Sequence, residues 1–285
     1  MALLPAERGL VHLRGMVMVT QSANSSTVEF LGVTFDNIGF DGALREVKKR
    51  SSDLPFAYVV TPNVDHLVRM HEGNPEILRL YSSAWISVCD SRVLTALART
   101  VGLRLPTVSG VDLSEAVLDR VAEEGDVVGV IGSSAQALDV VRARYPKMTF
   151  RHYNPPMNFI RDSREVRSTL DFMRANPARF WLITIGSPQQ ERLAYLAGHE
   201  TGISGVGFCV GNTINFLADP GSRAPMWMRR LALEWLYRLI TEPRRLWRRY
   251  LVDDIRIVPV FLKGVITGTA VRQPTGRFEG VRIPR

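Results

Sequence analysis

Apolar residues along this chain come in short runs rich in Val, Ile and Phe. Each run is followed by a polar turn, then by a stretch whose apolar positions recur every three or four residues. VEFLGVTF (Val28 to Phe35) predicts a strand, and FDGALREVKKRSS predicts an amphipathic helix with Asp41 as its cap. FAYVVTPN (Phe56 to Asn63) reads as a buried strand ending in a polar turn, with VDHLVRMHEGNPEILRLYSSA helical behind it. WISVCD (Trp85 to Asp90) is a strand ending in a carboxylate, and SRVLTALARTVG and VDLSEAVLDRVAEEG follow as helices. The alternation continues through DVVGVIGSS, AQALDVVRARYP, MTFRHYN, REVRSTLDFMRANP and RFWLITIGSPQQE, and ISGVGFCVG closes it. Repeated strand, turn and helix units of this kind predict an α/β fold, a Rossmann-like parallel sheet flanked by helices.

In such a sheet ligands bind beyond the carboxyl ends of the strands. That rule selects four turns: Thr61-Pro62-Asn63, Asp90-Ser91, Gly132-Ser133-Ser134, and Gly186 to Glu191 with Gln190 inside it. The turn at Gly132 offers backbone N–H groups and a helix start to a phosphate. Neither GxGxxG nor GxxxxGK[ST] occurs, so a dinucleotide fingerprint and a P-loop are both unsupported. Asp90 sits where a base would be wanted, although a carboxylate after an apolar run ordinarily caps a helix.

From Arg223 to Leu251 the pattern changes. Eight arginines face two glutamates, a local net charge of +6 out of +8 for the chain, with Trp227, Trp235 and Trp247 among them. Apolar spacings suit two helices broken before Pro243. Such segments suit an anionic membrane surface or an anionic substrate held there, and equally an ordinary helical hairpin with solvated arginines. The remainder of the 285 residues, 46% apolar and 22% charged overall, describes a globular chain that fills a core. No nucleic-acid-binding signature accompanies the basic charge, so nucleic acid is not an expected partner. Cys89 and Cys209 lie in apolar runs as buried small hydrophobes and suit a reducing compartment. The division expected is a loose extension (1–27), an α/β core (28–220), a basic helical appendage (221–256), and an apolar then basic tail (257–285) with no convincing spanning helix.

TPNVDHL, the strand ending in Asp90, LPTVSGVDL, GSPQQE, VGFCVG, RAP, LEWLYRL and EPRRLWRRYL stand in the order seen in the WecG/TagA/CpsF glycosyltransferases, glycosyltransferase family 26. The chain resembles that family over roughly residues 28 to 255. The resemblance implies a bacterial enzyme, peripheral on the cytoplasmic face of the inner membrane. It would move a sugar from a UDP-sugar to an undecaprenyl-diphosphate-linked saccharide in cell-envelope or exopolysaccharide synthesis, with inversion. By the same resemblance Asp90 is the general base, Thr61, Asn63 and Gln190 face the substrate, and Glu191 faces it or orients the helix start. The appendage completes the site and docks on an anionic membrane, with Arg223, Arg238 and Arg245 meeting diphosphate. No DxD motif is evident, so no cofactor and no metal is expected, and Asp253-Asp254 reads as a solvated helix face. Self-association into a homo-oligomer lies within the family's range.

Two positions depart from the family pattern. Thr107 stands where an arginine is usual, with Arg104 three residues earlier as its substitute, and Asn215 stands where an aspartate is usual. The altered turn HYNPPMNF leaves His152 and Tyr153 between a site role and a structural one. These departures keep a catalytically altered membrane scaffold open as an alternative, and a sugar-nucleotide oxidoreductase is a third reading.

Overall fold

The computed structural model describes residues 27–73 and 75–272; the expected loose extension, all but its last residue, and the end of the basic tail lie outside them. The chain runs β1 (Thr27–Phe30), β2 (Val33–Asp36), α1 (Phe40–Lys49), β3 (Ala57–Val60), α2 (Val64–His71), α3 (Pro75–Ser82) and β4 (Ile86–Ser87). There follow α4 (Arg92–Thr100), α5 (Gly110–Arg120), β5 (Val127–Ile131), α6 (Ala135–Arg144), β6 (Thr149–Tyr153), α7 (Ser163–Ala175), β7 (Phe180–Ile183), α8 (Gln189–His199), β8 (Val206–Cys209) and α9 (Thr213–Ala218). The C-terminal part adds α10 (Met226–Arg230), α11 (Glu234–Thr241), α12 (Pro243–Arg248), a π-helical turn at Arg249–Asp253, α13 (Ile257–Ile266) and β9 (Val271–Arg272).

Six strands form one parallel sheet in the order β4-β3-β8-β7-β5-β6. Every residue of β3, β7 and β8 is buried, as expected for strands covered on both faces. One set of helices packs in series as α1, α5, α9 and α6, and another as α2, α3 and α8. The sheet accommodates Trp181, fully buried on β7, because its neighbour in register on β5 is Gly129. A Cβ at Gly129 would lie 2.1 Å from the indole ring. The chain leaves β5 toward β6 and leaves β7 toward β8, in opposite directions. The crevice at the carboxyl ends of β5 and β7 is therefore the topological switch point.

The first run is a hairpin, not the single strand its alternation predicts. Leu31 and Gly32 both have positive φ, 50° and 69°, and this turn folds Val33–Asp36 back on Thr27–Phe30 as an antiparallel pair. Asp41 lies in the first turn of α1, and Gly39 occupies the cap position, so the expected side-chain cap is not made. The long helical reading after Asn63 divides into α2 and α3. At the end of β2 the buried Asp36 accepts a hydrogen bond from the Ser87 N–H (2.9 Å), which satisfies a donor on the edge strand β4.

The appendage breaks between Thr241 and Pro243, where the proline ring requires it. Its chain then returns to the core. Ile257 and Leu246 are buried, Gly264 packs against Ala270 and Leu31, and β9 pairs with β1 in the register Phe30↔Val271. Arg249 reaches Asp65 (3.4 Å) and Arg256 reaches Glu72 (2.5 Å), both on or next to α2. Residues 226–256 are thus held on the core from both ends. No helix among the described residues is long and apolar enough to cross a membrane.

Candidate active site

Backbone pairing past the strand ends gathers the first site residues. The Val88 N–H donates to the Val60 carbonyl (3.1 Å) and the Asp90 N–H to the Pro62 carbonyl (2.9 Å), so Asp90 lies beside the Thr61-Pro62-Asn63 turn. On its other side Cys89 bridges to Thr107, and the Val108 N–H donates to the Cys89 carbonyl (2.8 Å). This second pairing brings up the start of α5, capped by Ser109. The Gly110 N–H then donates to Asp90 Oδ2 (3.0 Å). The approach is close: a Cβ there would lie 3.0 Å from Thr61 Oγ1 and 3.1 Å from Val210, so a larger residue would press on both side chains.

Burial pushes the Asp90 carboxyl up from 3.8 to about 7. The Gly110 N–H opposes that rise, Glu234 and Asp112 add to it, and Arg223 offsets part of it. Asp90 therefore titrates where a group must lie to act as base or acid near neutrality. Glu234 belongs to α11, so the appendage comes close enough to act on the electrostatics of this pocket.

Asn63 caps α2. Its side chain accepts from the His66 N–H (3.4 Å), and its own N–H donates to His66 Nδ1 (3.3 Å). Burial, with Arg249 and Arg69 nearby, holds His66 well below the usual imidazole range, consistent with an accepting Nδ1. Gln190 is buried and occupied at both ends of its amide. Oε1 accepts from the Gly211 N–H (2.9 Å) and Nε2 donates to Glu191 Oε1 (2.8 Å). Glu191 also accepts from the Tyr81 hydroxyl (3.1 Å), while its Oε2 is buried without a partner. Burial lifts its carboxyl above the usual range. These two residues tie α8 to the turn after β8, leaving one amide N–H of Gln190 for anything else.

The appendage contributes guanidinium groups to the other side of Asp90. Arg223, only 10% exposed, donates to Asp112 Oδ1 at 2.6 Å, and Arg229 approaches the same oxygen at 3.5 Å. Arg223 and Arg238 lie over the Phe216 ring, 5.8 and 5.7 Å from its centroid. Arg92, Asp112, Phe216, Arg223, Arg229 and Glu234 line a cavity of about 550 Å³. The Nε atoms of Arg223, Arg229 and Arg238 are buried without partners.

The structure thus brings Thr61, Asn63 and Asp90 together, with Gln190 and Glu191 supporting the adjoining turn; Arg223 acts on Asp90 electrostatically, and Arg238 lies beside it on the Phe216 ring. Arg245 is elsewhere, exposed and paired with Glu242 in its own turn (2.6 Å). Arg104 is exposed on the loop before α5. Gly132 lies at the switch point with φ 92°, its carbonyl on His152 Nε2 (2.9 Å), and Ser133 next to it bonds Thr184 (2.8 Å). His152 and Tyr153 have structural partners here, Tyr153 stacking on Phe172 at 5.2 Å. Thr107 bonds Thr95 (3.1 Å), and the exposed Asn215 bonds Asn212 at the start of α9. Asp112, Phe216, Arg92, Arg229 and Glu234 were not singled out by the sequence. Two of them lay inside quoted motifs: Asp112, two residues after the glycine of LPTVSGVDL, and Glu234, in LEWLYRL.

The family model described as glycosyl transferase, WecG/TagA/CpsF family, matches residues 28–270. A similar protein is the N-acetylglucosaminyldiphosphoundecaprenol N-acetyl-beta-D-mannosaminyltransferase of Staphylococcus aureus strain NCTC 8325 / PS 47. It is 21% identical over 253 residues, covering 86% of this chain and 94% of its own. The protein of the same description from strain MRSA252 is 22% identical over the same span. The chain belongs to the WecG/TagA/CpsF family of glycosyltransferases.

Proposed function

We propose that this member of the WecG/TagA/CpsF family moves a sugar from a UDP-sugar to an undecaprenyl-diphosphate-linked saccharide with inversion, and that Asp90 is its general base. The observation that carries the reading is a carboxylate raised by burial to about 7 and gripped by the Gly110 N–H at the opening turn of α5, the turn whose Asp112 lines the arginine-rich cavity. In the reaction the acceptor hydroxyl oxygen attacks the anomeric carbon while Asp90 takes its proton. The bond from that carbon to the diphosphate oxygen breaks on the opposite face, and UDP leaves with the electron pair. In this scheme Arg223, Arg229 and Arg238 neutralise the charge that develops on the leaving diphosphate, a role supported by Arg223 and Arg229 lining the cavity and by Arg238 beside Arg223 on Phe216. Thr61 and the free N–H of Gln190 supply hydrogen bonds to sugar. The nucleotide belongs over the switch-point crevice at Gly132, and a divalent ion is not part of this scheme.

The relatives' name, an N-acetylmannosaminyltransferase acting on diphosphoundecaprenol-linked N-acetylglucosamine, favours UDP-N-acetylmannosamine as donor and that class of lipid-linked acceptor. A lipid-linked acceptor favours peripheral docking on the cytoplasmic membrane surface. Exposed Trp227, Leu231, Ile240 and Trp247, interleaved with Arg244, Arg245 and Arg248, form a face suited to an anionic bilayer.

The test is UDP release from a panel of UDP-sugars with a polyprenyl-diphosphate-linked acceptor, comparing wild type with Asp90→Asn and repeating the assay with chelator. Acceptor-dependent release with one donor, lost in the variant and indifferent to chelator, supports the scheme. Release that survives Asp90→Asn removes Asp90 as base. Failure to bind or turn over any donor moves the chain to the scaffold reading.

A further inference from the structure

We infer that Asp112 is a positioning residue, the joint that seats the C-terminal arginines against the Asp90 pocket. It lies in the first turn of α5, and its backbone N–H is fixed by the Ser109 side chain (3.3 Å). Its Oδ1 receives Arg223 at 2.6 Å and Arg229 at 3.5 Å, partners 111 and 117 residues away in sequence. Arg223 also reaches Ser109 Oγ at 3.5 Å. The opening turn of α5 therefore holds two things at once: the Gly110 N–H grips Asp90, and Asp112 with Ser109 grips the appendage.

Burial of Arg223 depends on that carboxylate. A guanidinium removed from water without a counter-charge is strongly unfavourable, and Asp112 supplies the largest share of that charge for Arg223, ahead of Glu234 and Asp90. Glu115, which also lines the cavity, is committed to Arg144 at 2.6 Å. Glu234 belongs to the appendage itself and so cannot hold the appendage to the core. The Phe216 ring supports the Arg223 and Arg238 guanidiniums from the core side, but an aromatic face sets no azimuth. The carboxylate of Asp112 does, because it receives N–H groups in defined directions. The same negative charge is one of three neighbours facing Asp90, with Glu234 of α11 on the same side and Arg223 opposing them.

The inference rests on the proposed glycosyl transfer only in its kinetic arm. The experiment compares full-length wild type, Asp112→Asn and Asp112→Glu by amide hydrogen exchange and by UDP release across the neutral pH range. In Asp112→Asn, exchange is expected to quicken in peptides of α10 and α11 and to stay unchanged in β3, β7 and β8. The kcat is expected to fall roughly a hundredfold, the scale of a misplaced contact group, with a rise in the donor KM. The acid limb of its pH–rate profile moves to lower pH, because a negative neighbour of Asp90 is gone. Asp112→Glu restores part of each.

Unchanged exchange in α10 and α11 overturns the inference. So does quickened exchange with wild-type kcat and acid limb, which would make Asp112 a structural ion pair and nothing more. If the wild type transfers no sugar, the exchange arm still decides whether Asp112 seats the appendage, and the failure falls on the proposed function. If Asp112→Asn loosens the sheet as well, Arg229→Gln removes the longer contact alone. Loosening then confined to α10 and α11 supports the joint, and its absence overturns it.

Discussion

Replacing Asp90 by Asn should inactivate the protein and stabilise it, and the second effect has a defined pH dependence. The folded protein holds a proton on Asp90 up to about pH 7, whereas the unfolded chain releases it near 3.8. Between those values the folded state binds more protons, so stability falls as pH rises through the window and levels off above it. A shift from 3.8 to about 7, at ~1.4 kcal/mol for each pH unit, sets an upper bound of ~4 kcal/mol. Asp90 is partly open to solvent, and screening brings the expected value to roughly 2 kcal/mol. Asn keeps an oxygen for the Gly110 N–H and cannot ionise. The variant should therefore melt with the wild type near pH ~4 and about 4–8 °C above it at pH ~8, by the entropy scale of a chain this size. Sugar transfer should drop by ~10²–10⁴-fold, the usual contribution of a general base. The assay is paired thermal melts over that pH range alongside UDP release. A melting offset that is constant with pH would refute the elevated carboxyl, whatever happens to activity.

Other changes test the packing and the appendage. Asp65, with 7% of its side chain exposed, pairs Arg69 at 2.6 Å and Arg249 at 3.4 Å, so Asp65→Asn should cost about 2–4 kcal/mol in denaturant unfolding; a loss under ~0.5 kcal/mol would show the cluster to be solvated. Gly129→Ala places a methyl 2.1 Å from the Trp181 ring in the middle of the sheet and should cost ~3 kcal/mol or more, whereas a silent substitution would contradict the β5–β7 register. Trp227 and Trp247 are 59% and 52% exposed, so the double change to Ala should leave the melting temperature in place and weaken sedimentation with anionic vesicles; equal binding would remove the membrane role. Salt should weaken wild-type binding, because exposed arginine–phosphate attraction is screened.

The parallel sheet was legible because its strands are short apolar runs with buried sequences such as AYVV and FWLI, and because each run ends in a turn. The hairpin at Leu31-Gly32 was not, since one alternating run looks the same whether straight or folded on two positive-φ residues. The return of α13 and β9 to the core was also hidden. Its determinants are long-range: Gly264 against Leu31 and Val271 beside Phe30. At the site, the strand-end rule found Thr61, Asn63 and Asp90, because a carboxyl-end position is a local property of sequence. It could not say that Asn63 is occupied as a helix cap or that Gln190 spends its amide on Gly211 and Glu191. Charge counting found the basic segment but not the sorting within it. Arg223 differs from Arg245 only in what it meets after folding, Asp112 in one case and Glu242 in the other.

The balance of charge around Asp90 fixes how its titration should respond to substrate. Asp112, Glu234 and Arg223 act on it in the free protein, and Arg229 and Arg238 stand behind them. A diphosphate seated on the three arginines adds negative charge without removing either acid, so the field at Asp90 becomes more negative. One charge at ~6 Å with an effective dielectric near 20 is worth about 2–3 kcal/mol, and partial neutralisation by the arginines leaves roughly half of that, about one pH unit. Exclusion of water by the bound sugar acts in the same direction. The acid limb of kcat, which reports the loaded site, should therefore lie about one unit above the limb of kcat/KM, which reports the free one. Arg223→Gln removes the cation that lowers Asp90 and should move both limbs upward. A kcat limb at or below that of kcat/KM would mean that the diphosphate does not sit beside Asp90, and the three arginines would then need a different anion.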